Sequence, residues 1–136
     1  MKTLIDILHQ GGYSCVIRNH GETRTFKQRG VADLWALCQD NENFLNEAQI
    51  ADKVVGKGAA ALMIRGGIKE VYADVISTSA LTLLQSYGIR VTFLTETDRI
   101  VNRQSNGLCP VETLCIQLQS VEDMYEEISK FINRNR

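Results

Sequence analysis

The order of segments between positions 46 and 94 constrains the fold of this chain more than any other feature. Gly66-Gly67 and Gly88 each follow a stretch of helical pattern, as glycines at the C-terminal ends of helices do. The predicted elements are a strand over 46–50, a helix over 52–65, a strand over 68–75, a helix over 77–87 and a strand over 89–94. Strands that alternate with helices in this way are joined by crossovers and lie parallel.

The rest of the chain adds a hairpin and further helices. Asn19-His20-Gly21-Glu22 has the composition of a turn between two short strands. The predicted elements are a helix over 1–10, hairpin strands over 13–19 and 23–28, a helix over 31–38, a helix starting at Pro110 and a helix over 120–131. A hairpin combined with parallel strands predicts a mixed sheet flanked by helices, in the α/β class.

Composition narrows the class of protein. The 136 residues suit one domain, 1–136, with 44% hydrophobic and 23% charged residues. A net charge of -1 gives no electrostatic reason to expect nucleic acid. The four cysteines are too few for a disulfide scaffold, and no apolar stretch approaches the roughly 20 residues of a membrane helix. The predicted location is the cytoplasm, with no membrane partner.

The predicted ligand site lies where the parallel strands end, because open α/β sheets bind ligands there. Asp52, Lys53 and Lys57 are expected near the first turn of the helix over 52–65, with the two lysines on one face. The helix amides and an ammonium group could hold an anion, while Asp52 orients a lysine or takes a proton. Alternatively, Asp52 caps the helix and the lysines are solvated.

The end of the next strand contributes a second group of polar residues. Asp74 is the candidate acid facing the ligand, and Ser77 and Thr78 could hydrogen-bond a phosphate or a sugar. The competing interpretation is that one of the hydroxyls, including that of Ser79, caps the following helix.

The loop after position 94 supplies the third group. Cys109 precedes a helix started by Pro110, and the helix dipole would favour its nucleophilic thiolate, with Glu112 as acid or base. Otherwise, Cys109 is a buried small residue and Glu112 a capping residue. Asn102 and Arg103 could bind a carboxylate or phosphate, or lie in an exposed loop. Cys15 and Cys38 are predicted core residues.

Three stretches carry a resemblance to a known family: "DKVVGKGAA", "VYADVIS" and "LCPVE". They resemble the prokaryotic family known as domain of unknown function 1893, within the cytidine deaminase-like superfamily. The resemblance implies a three-layer α/β/α sandwich with a mixed sheet. Deaminases of that superfamily hold zinc through His-x-Glu and Pro-Cys-x-x-Cys motifs at two helix starts.

The zinc motifs are missing from this chain. The corresponding positions, 51–53 and 76–80, supply no usual ligand. His9 and His20 belong to the opening helix and the hairpin turn, where they are badly placed as replacements. We therefore predict no metal and no cofactor.

These features together favour a protein that binds a small anionic or nucleotide-like ligand without zinc. The alternatives are an enzyme that depends on Cys109 and a non-catalytic regulatory or assembly module. A homodimer is predicted from the hydrophobic terminal helix and the hairpin.

Overall fold

The computed structural model describes residues 1–28, 31–98 and 110–134, apart from the side chains of Pro110 and Glu112. Within these ranges the helices are α1 (Lys2–Gly11), α2 (Ala32–Gln39), α3 (Lys57–Gly66), α4 (Thr78–Ser86), α5 (Pro110–Cys115) and α6 (Val121–Arg134). The strands are β1 (Cys15–Asn19), β2 (Glu22–Phe26), β3 (Gln49–Val55), β4 (Glu70–Ser77) and β5 (Arg90–Thr97). No helix in the described ranges is long and apolar enough to cross a bilayer.

The five strands form one mixed sheet in the order β2-β1-β3-β4-β5. β1 pairs antiparallel with β2 and with β3, whereas β3, β4 and β5 are parallel to one another. The parallel strands are connected through α3 and α4, which confirms the predicted crossovers. The predicted α/β class and mixed sheet are therefore correct.

The predicted hairpin is formed by β1 and β2 and closes with two residues. His20 and Gly21 both have positive φ, 51° and 77°, and Asn19 pairs with Glu22 across the turn. Two consecutive left-handed residues match the right-handed twist of the strands, which is why a glycine is favoured here.

Helices cover the two faces of the sheet unequally. On one face, α1 packs through Leu4 and Leu8 onto Val16, Ala51 and Tyr72. The other face carries the larger core, to which α2, α3, α4 and α6 contribute. The arrangement has three layers, helix, sheet and helix, as the resemblance implied.

The third strand is longer than predicted, and the helix after it starts later. β3 continues to Val55, and α3 begins at Lys57 after the extended residue Gly56. The helix predicted over 52–65 is therefore wrong in its first five positions. Hydrogen bonding explains the difference, since residues up to Asp52 pair with β1 and residues up to Val55 pair with β4. These ladders, together with two β-branched valines, outweigh a locally helical composition.

The small residues of α3 allow other helices to approach closely. A Cβ atom on Gly58 would collide with the side chain of Val111 in α5. α6 also packs on α3, with Val121, Met124 and Ile128 buried. The apolar face of the terminal helix is thus part of the core.

Candidate functional site

Asp52, Lys53 and Asp74 lie near the carboxyl ends of β3 and β4, on the sheet rather than at a helix start. Successive residues of a strand point to opposite faces, so Asp52 lies on the side of the larger core, and Lys53 lies on the other side with Asp74. Asp52 pairs with Ala73 and Val54 with Val75, so Lys53 lies beside Asp74 on the neighbouring strand. The expectation that Asp52 and Lys53 occupy the first turn of a helix with Lys57 is corrected, because both residues belong to β3. Lys53 is exposed, whereas Asp52 is buried.

Asp52 is the most perturbed acid of this region. Only 9% of the residue is exposed. Burial raises its pKa from 3.8 to about 7, and the nearby Asp74 contributes to the increase, while hydrogen bonds from the Val54 and Lys53 amides oppose it. In the described ranges no salt bridge involves Asp52. This carboxyl group therefore changes its charge near neutral pH.

Asp74 lies in a polar cluster that includes His9 of α1. Its Oδ1 accepts a hydrogen bond from the Tyr72 hydroxyl at 2.6 Å and lies 2.8 Å from His9 Nε2. The His9 and Tyr72 rings also meet edge to face, with centroids 6.4 Å apart. Burial, followed by the hydrogen bond to Asp74, raises the pKa of Tyr72 to about 12.

No pattern in the sequence indicates that His9 reaches a site residue. The amphipathic pattern of α1 predicts a packed helix, but not which strands it crosses. His9 remains partly exposed, with 44% of its side chain accessible, so Asp74 orients an imidazole that solvent can reach.

Lys57 binds protein carbonyl groups. Its Nζ donates to the carbonyl oxygen of Leu118 at 2.6 Å and to that of Ile116 at 3.3 Å. These carbonyls follow the end of α5, so the ammonium group stabilises that helix terminus.

The hydroxyl groups at the junction of β4 and α4 are hydrogen-bonded within the protein. Ser77 is the N-cap, and its Oγ accepts a hydrogen bond from the Ala80 amide at 3.1 Å. Thr78 Oγ1 contacts Glu96 Oε2 at 2.8 Å and the carbonyl oxygen of Thr97 at 3.3 Å. The capping interpretation is confirmed for Ser77. Glu96 is an acid at this end of the sheet that the sequence did not single out.

Several predicted site residues lie outside the described residues. They are Cys109, Asn102 and Arg103, and the side chain of Glu112. Their predicted roles stay predictions.

The predicted core cysteines are in the core. Cys15 belongs to the large apolar cluster and Cys38 packs against it. Burial raises the pKa of both thiols, that of Cys38 to about 11. In the described part of the chain no three His, Cys, Asp or Glu residues are grouped to hold a metal ion.

Two open depressions lie away from the strand ends. One, of about 380 Å³, is lined by Arg65, Tyr87 and Glu122. The other, of about 430 Å³, lies between α2 and α6. Because neither contains the perturbed acid, the strand ends remain the candidate site on chemical grounds.

Comparison with known proteins supports the family predicted by resemblance. The sequence pattern of the family described as "Domain of unknown function (DUF1893)" matches residues 3–132. A crystal structure of a DUF1893 family protein (TM1506) from Thermotoga maritima has a similar fold, with a TM-score of 0.86 and 22% sequence identity. The match covers 95% of this chain and 87% of that chain. No curated protein matches the chain.

Proposed function

We propose that this chain, which belongs to the DUF1893 family, binds a small anionic or nucleotide-like ligand at the carboxyl ends of β3 and β4. The observation that carries the proposal is Asp52, a buried carboxyl group with a pKa near 7. Burying an ionisable group without a counter-charge destabilises a fold. Such groups are concentrated at functional sites, where a shifted pKa serves binding or proton transfer.

The protonation state of Asp52 determines whether its carboxyl group donates or accepts a hydrogen bond to a ligand. Below pH 7 its neutral carboxyl group can donate a hydrogen bond to a phosphate or carbonyl oxygen. Above pH 7 it is an anion and a proton acceptor. The proposed site therefore binds an anionic ligand more tightly on the acidic side of neutrality.

Two neighbouring features favour an anionic group on the ligand. The exposed residue Lys53 follows Asp52 in β3, so its ammonium group belongs to the same strand end but to the opposite face of the sheet. α3 begins at Lys57, and its N-cap, Gly56, provides no side-chain oxygen for the first amides. The positive end of the helix dipole adds to the attraction of an anion.

The acids nearby are engaged by the protein itself. Asp74 is hydrogen-bonded to Tyr72 and paired with His9, and Glu96 accepts from Thr78. These contacts fix the two carboxylates in place and leave Lys53 as the exposed cation of β3.

A thermal-shift screen tests the proposal. The panel contains nucleoside monophosphates, sugar phosphates and the matching unphosphorylated compounds, each at millimolar concentration. We expect at least one phosphorylated compound to raise the melting temperature, and titration calorimetry to show weaker binding by Lys53→Ala. Lys69→Ala is the matched control, because Lys69 is also exposed but precedes β4 at the opposite end of the sheet.

Two results would contradict ligand binding at this position. One is that no compound in the panel binds. The other is that Lys53→Ala retains the affinity of the parent, because the ligand would then lie elsewhere.

Kinship with the cytidine deaminase-like superfamily and a cytoplasmic location belong to the same proposal. The three layers and the parallel order of β3, β4 and β5 support the kinship. The corrected start of α3, Gly56-Lys57-Gly58, supplies no His, Cys or acid, and the start of α4 has hydroxyl groups. We therefore expect metal analysis of the purified protein to find no stoichiometric zinc. One zinc per chain would refute this part.

A further inference from the structure

In the part of the chain that the structure describes, β5 is an outer strand that is longer and more apolar than the strand at the opposite edge of the sheet. In the described ranges it pairs with β4 alone. It is eight residues long, contains no proline, and exposes Phe93 by 38% and Leu94 by 70%. Long, flat and apolar edges expose unpaired backbone groups, and natural proteins shorten, charge or cover them.

The other edge of the sheet is protected in the expected way. β2 has five residues, and Arg24 on it forms ion pairs with Glu22 and Glu42. The exposed apolar residues of the sheet edges are therefore concentrated on β5. This contrast points to a partner strand at β5.

We infer that β5 pairs antiparallel with β5 of a second copy of this chain, around a two-fold axis that passes beside Phe93. When a two-fold axis perpendicular to the sheet passes beside one residue, the numbers of any two facing residues add up to twice the number of that residue. In the register centred on Phe93, Arg90 faces Glu96 of the second copy, and the same pair recurs on the other side of the axis. The two sheets then form one continuous sheet.

Charge selects this register over its neighbours. Both Arg90 and Glu96 are exposed and lie within β5. A register centred on Thr92 places Arg90 opposite Leu94, and one centred on Leu94 places Glu96 opposite Thr92. Among these three, only the register centred on Phe93 places the two charged side chains of the strand opposite each other. Opposite charges in directly facing positions stabilise antiparallel pairs.

The apolar side chains fit the same register on the two faces of the sheet. Phe93 lies beside Ala73 of β4, on the side of the larger core, and meets its own copy at the axis. Leu94 lies on the opposite face and meets Thr92. Glu96 keeps its contact with Thr78, since a carboxylate accepts more than one hydrogen bond.

This surface differs from the two that the sequence suggested for self-association. The apolar residues of α6 are buried in the core, and the hairpin ends in the short, charged β2. The inference also does not rest on ligand binding, so either proposal can fail alone.

Light scattering and sedimentation of the full chain over micromolar concentrations test the inference. We expect a mass of about twice 15.3 kDa at the upper concentrations, with at least a tenfold weaker dimer for Leu94→Lys. Ile116→Lys is the control, because Ile116 is another exposed apolar residue, 44% accessible, outside β5. Circular dichroism verifies that each variant is folded.

A charge exchange and a cross-link test the register. Arg90→Glu should weaken the dimer, and the double variant with Glu96→Arg should restore it. Phe93→Cys should form a disulfide between copies, since facing residues have Cα atoms about 4.5–5.5 Å apart. A monomer at every concentration would overturn the inference. So would a dimer that resists Leu94→Lys, or one in which Leu94→Cys cross-links and Phe93→Cys does not.

Discussion

Replacing Asp52 by asparagine should make the protein more stable, and increasingly so as the pH rises. Asp52 is the acid whose pKa burial raises from 3.8 to about 7. An acid with a raised folded-state pKa holds its proton longer in the folded than in the unfolded chain. The free energy of unfolding therefore falls as the pH rises from about 4 to about 7, and it changes little above that.

The size of the effect follows from the shift in pKa. Each unit corresponds to about 1.4 kcal/mol, so ionised Asp52 costs the fold about 4 kcal/mol above neutral pH. Asparagine has nearly the same shape, cannot ionise, and keeps an oxygen that can accept the Val54 amide hydrogen bond. We expect the variant to match the parent at about pH 4 and to exceed it by about 4 kcal/mol at about pH 8.

Urea unfolding at several pH values from about 4 to about 8 measures this difference. Trp35, the single tryptophan and a buried residue, supplies the fluorescence signal. Asp6→Asn is the control, since Asp6 is exposed on α1 and its replacement should leave the pH dependence of the parent unchanged. The reasoning is refuted if the gap between Asp52→Asn and the parent is constant with pH, or if the variant is less stable at about pH 8.

Two further predictions concern packing and thiol chemistry. Gly58→Ala should destabilise the protein by about 1–3 kcal/mol, because the new methyl group meets Val111. Helix propensity alone predicts that the same change stabilises the protein by about 1 kcal/mol. The sign of the change in unfolding free energy, measured by urea unfolding, therefore shows which effect is larger. In the folded protein a thiol reagent should react slowly with the cysteines that are buried or half-buried, and peptide mapping by mass spectrometry should find little label on Cys15, Cys38 and Cys115. The hypothesis of a catalytic Cys109 requires that it react much faster than these three, and equal rates would contradict it.

Local sequence patterns predicted most of the fold. The glycine stops of α1 and α3 are observed as the C-caps Gly12 and Gly67, and the hairpin turn falls at the predicted residues. These features depend on backbone conformations that few residue types other than glycine adopt, so they can be predicted from the positions of glycines in the sequence. The alternation of helices and strands then fixed the parallel part of the sheet.

The start of α3 could not be predicted in the same way. Residues such as Ala51 and Lys53 suit a helix locally, and only the neighbouring strands turn this segment into β3. Long-range hydrogen bonds of this kind have no local signature. The sequence pattern predicted Asp52 at a solvated helix terminus, whereas the structure has it in a buried strand. Its burial is what makes the carboxyl group chemically unusual.

The polar cluster around Asp74 was missed for a related reason. His9 and Asp74 are 65 positions apart in the chain. Their contact depends on where α1 crosses the sheet, which the apolar pattern of a helix does not specify. The order of elements in the sequence predicted Asp52, Asp74 and the hydroxyl groups near the strand ends, but it predicted neither Glu96 nor the partners of these groups.

Among the described elements, one face of the sheet is covered by α1 alone, and the other by several helices. This difference determines which part of the molecule can unfold locally. α1 is held by a separate, small cluster in which Leu4 and Leu8 are its two fully buried side chains, whereas α3 belongs to the larger core. Amide hydrogen exchange resolves such units, since a segment that buries little apolar surface opens without global unfolding. We expect release of α1 to expose Tyr72 and Asp74 without breaking the pairing of β3, β4 and β5. Access to this face of β4 is therefore governed by the local stability of one helix.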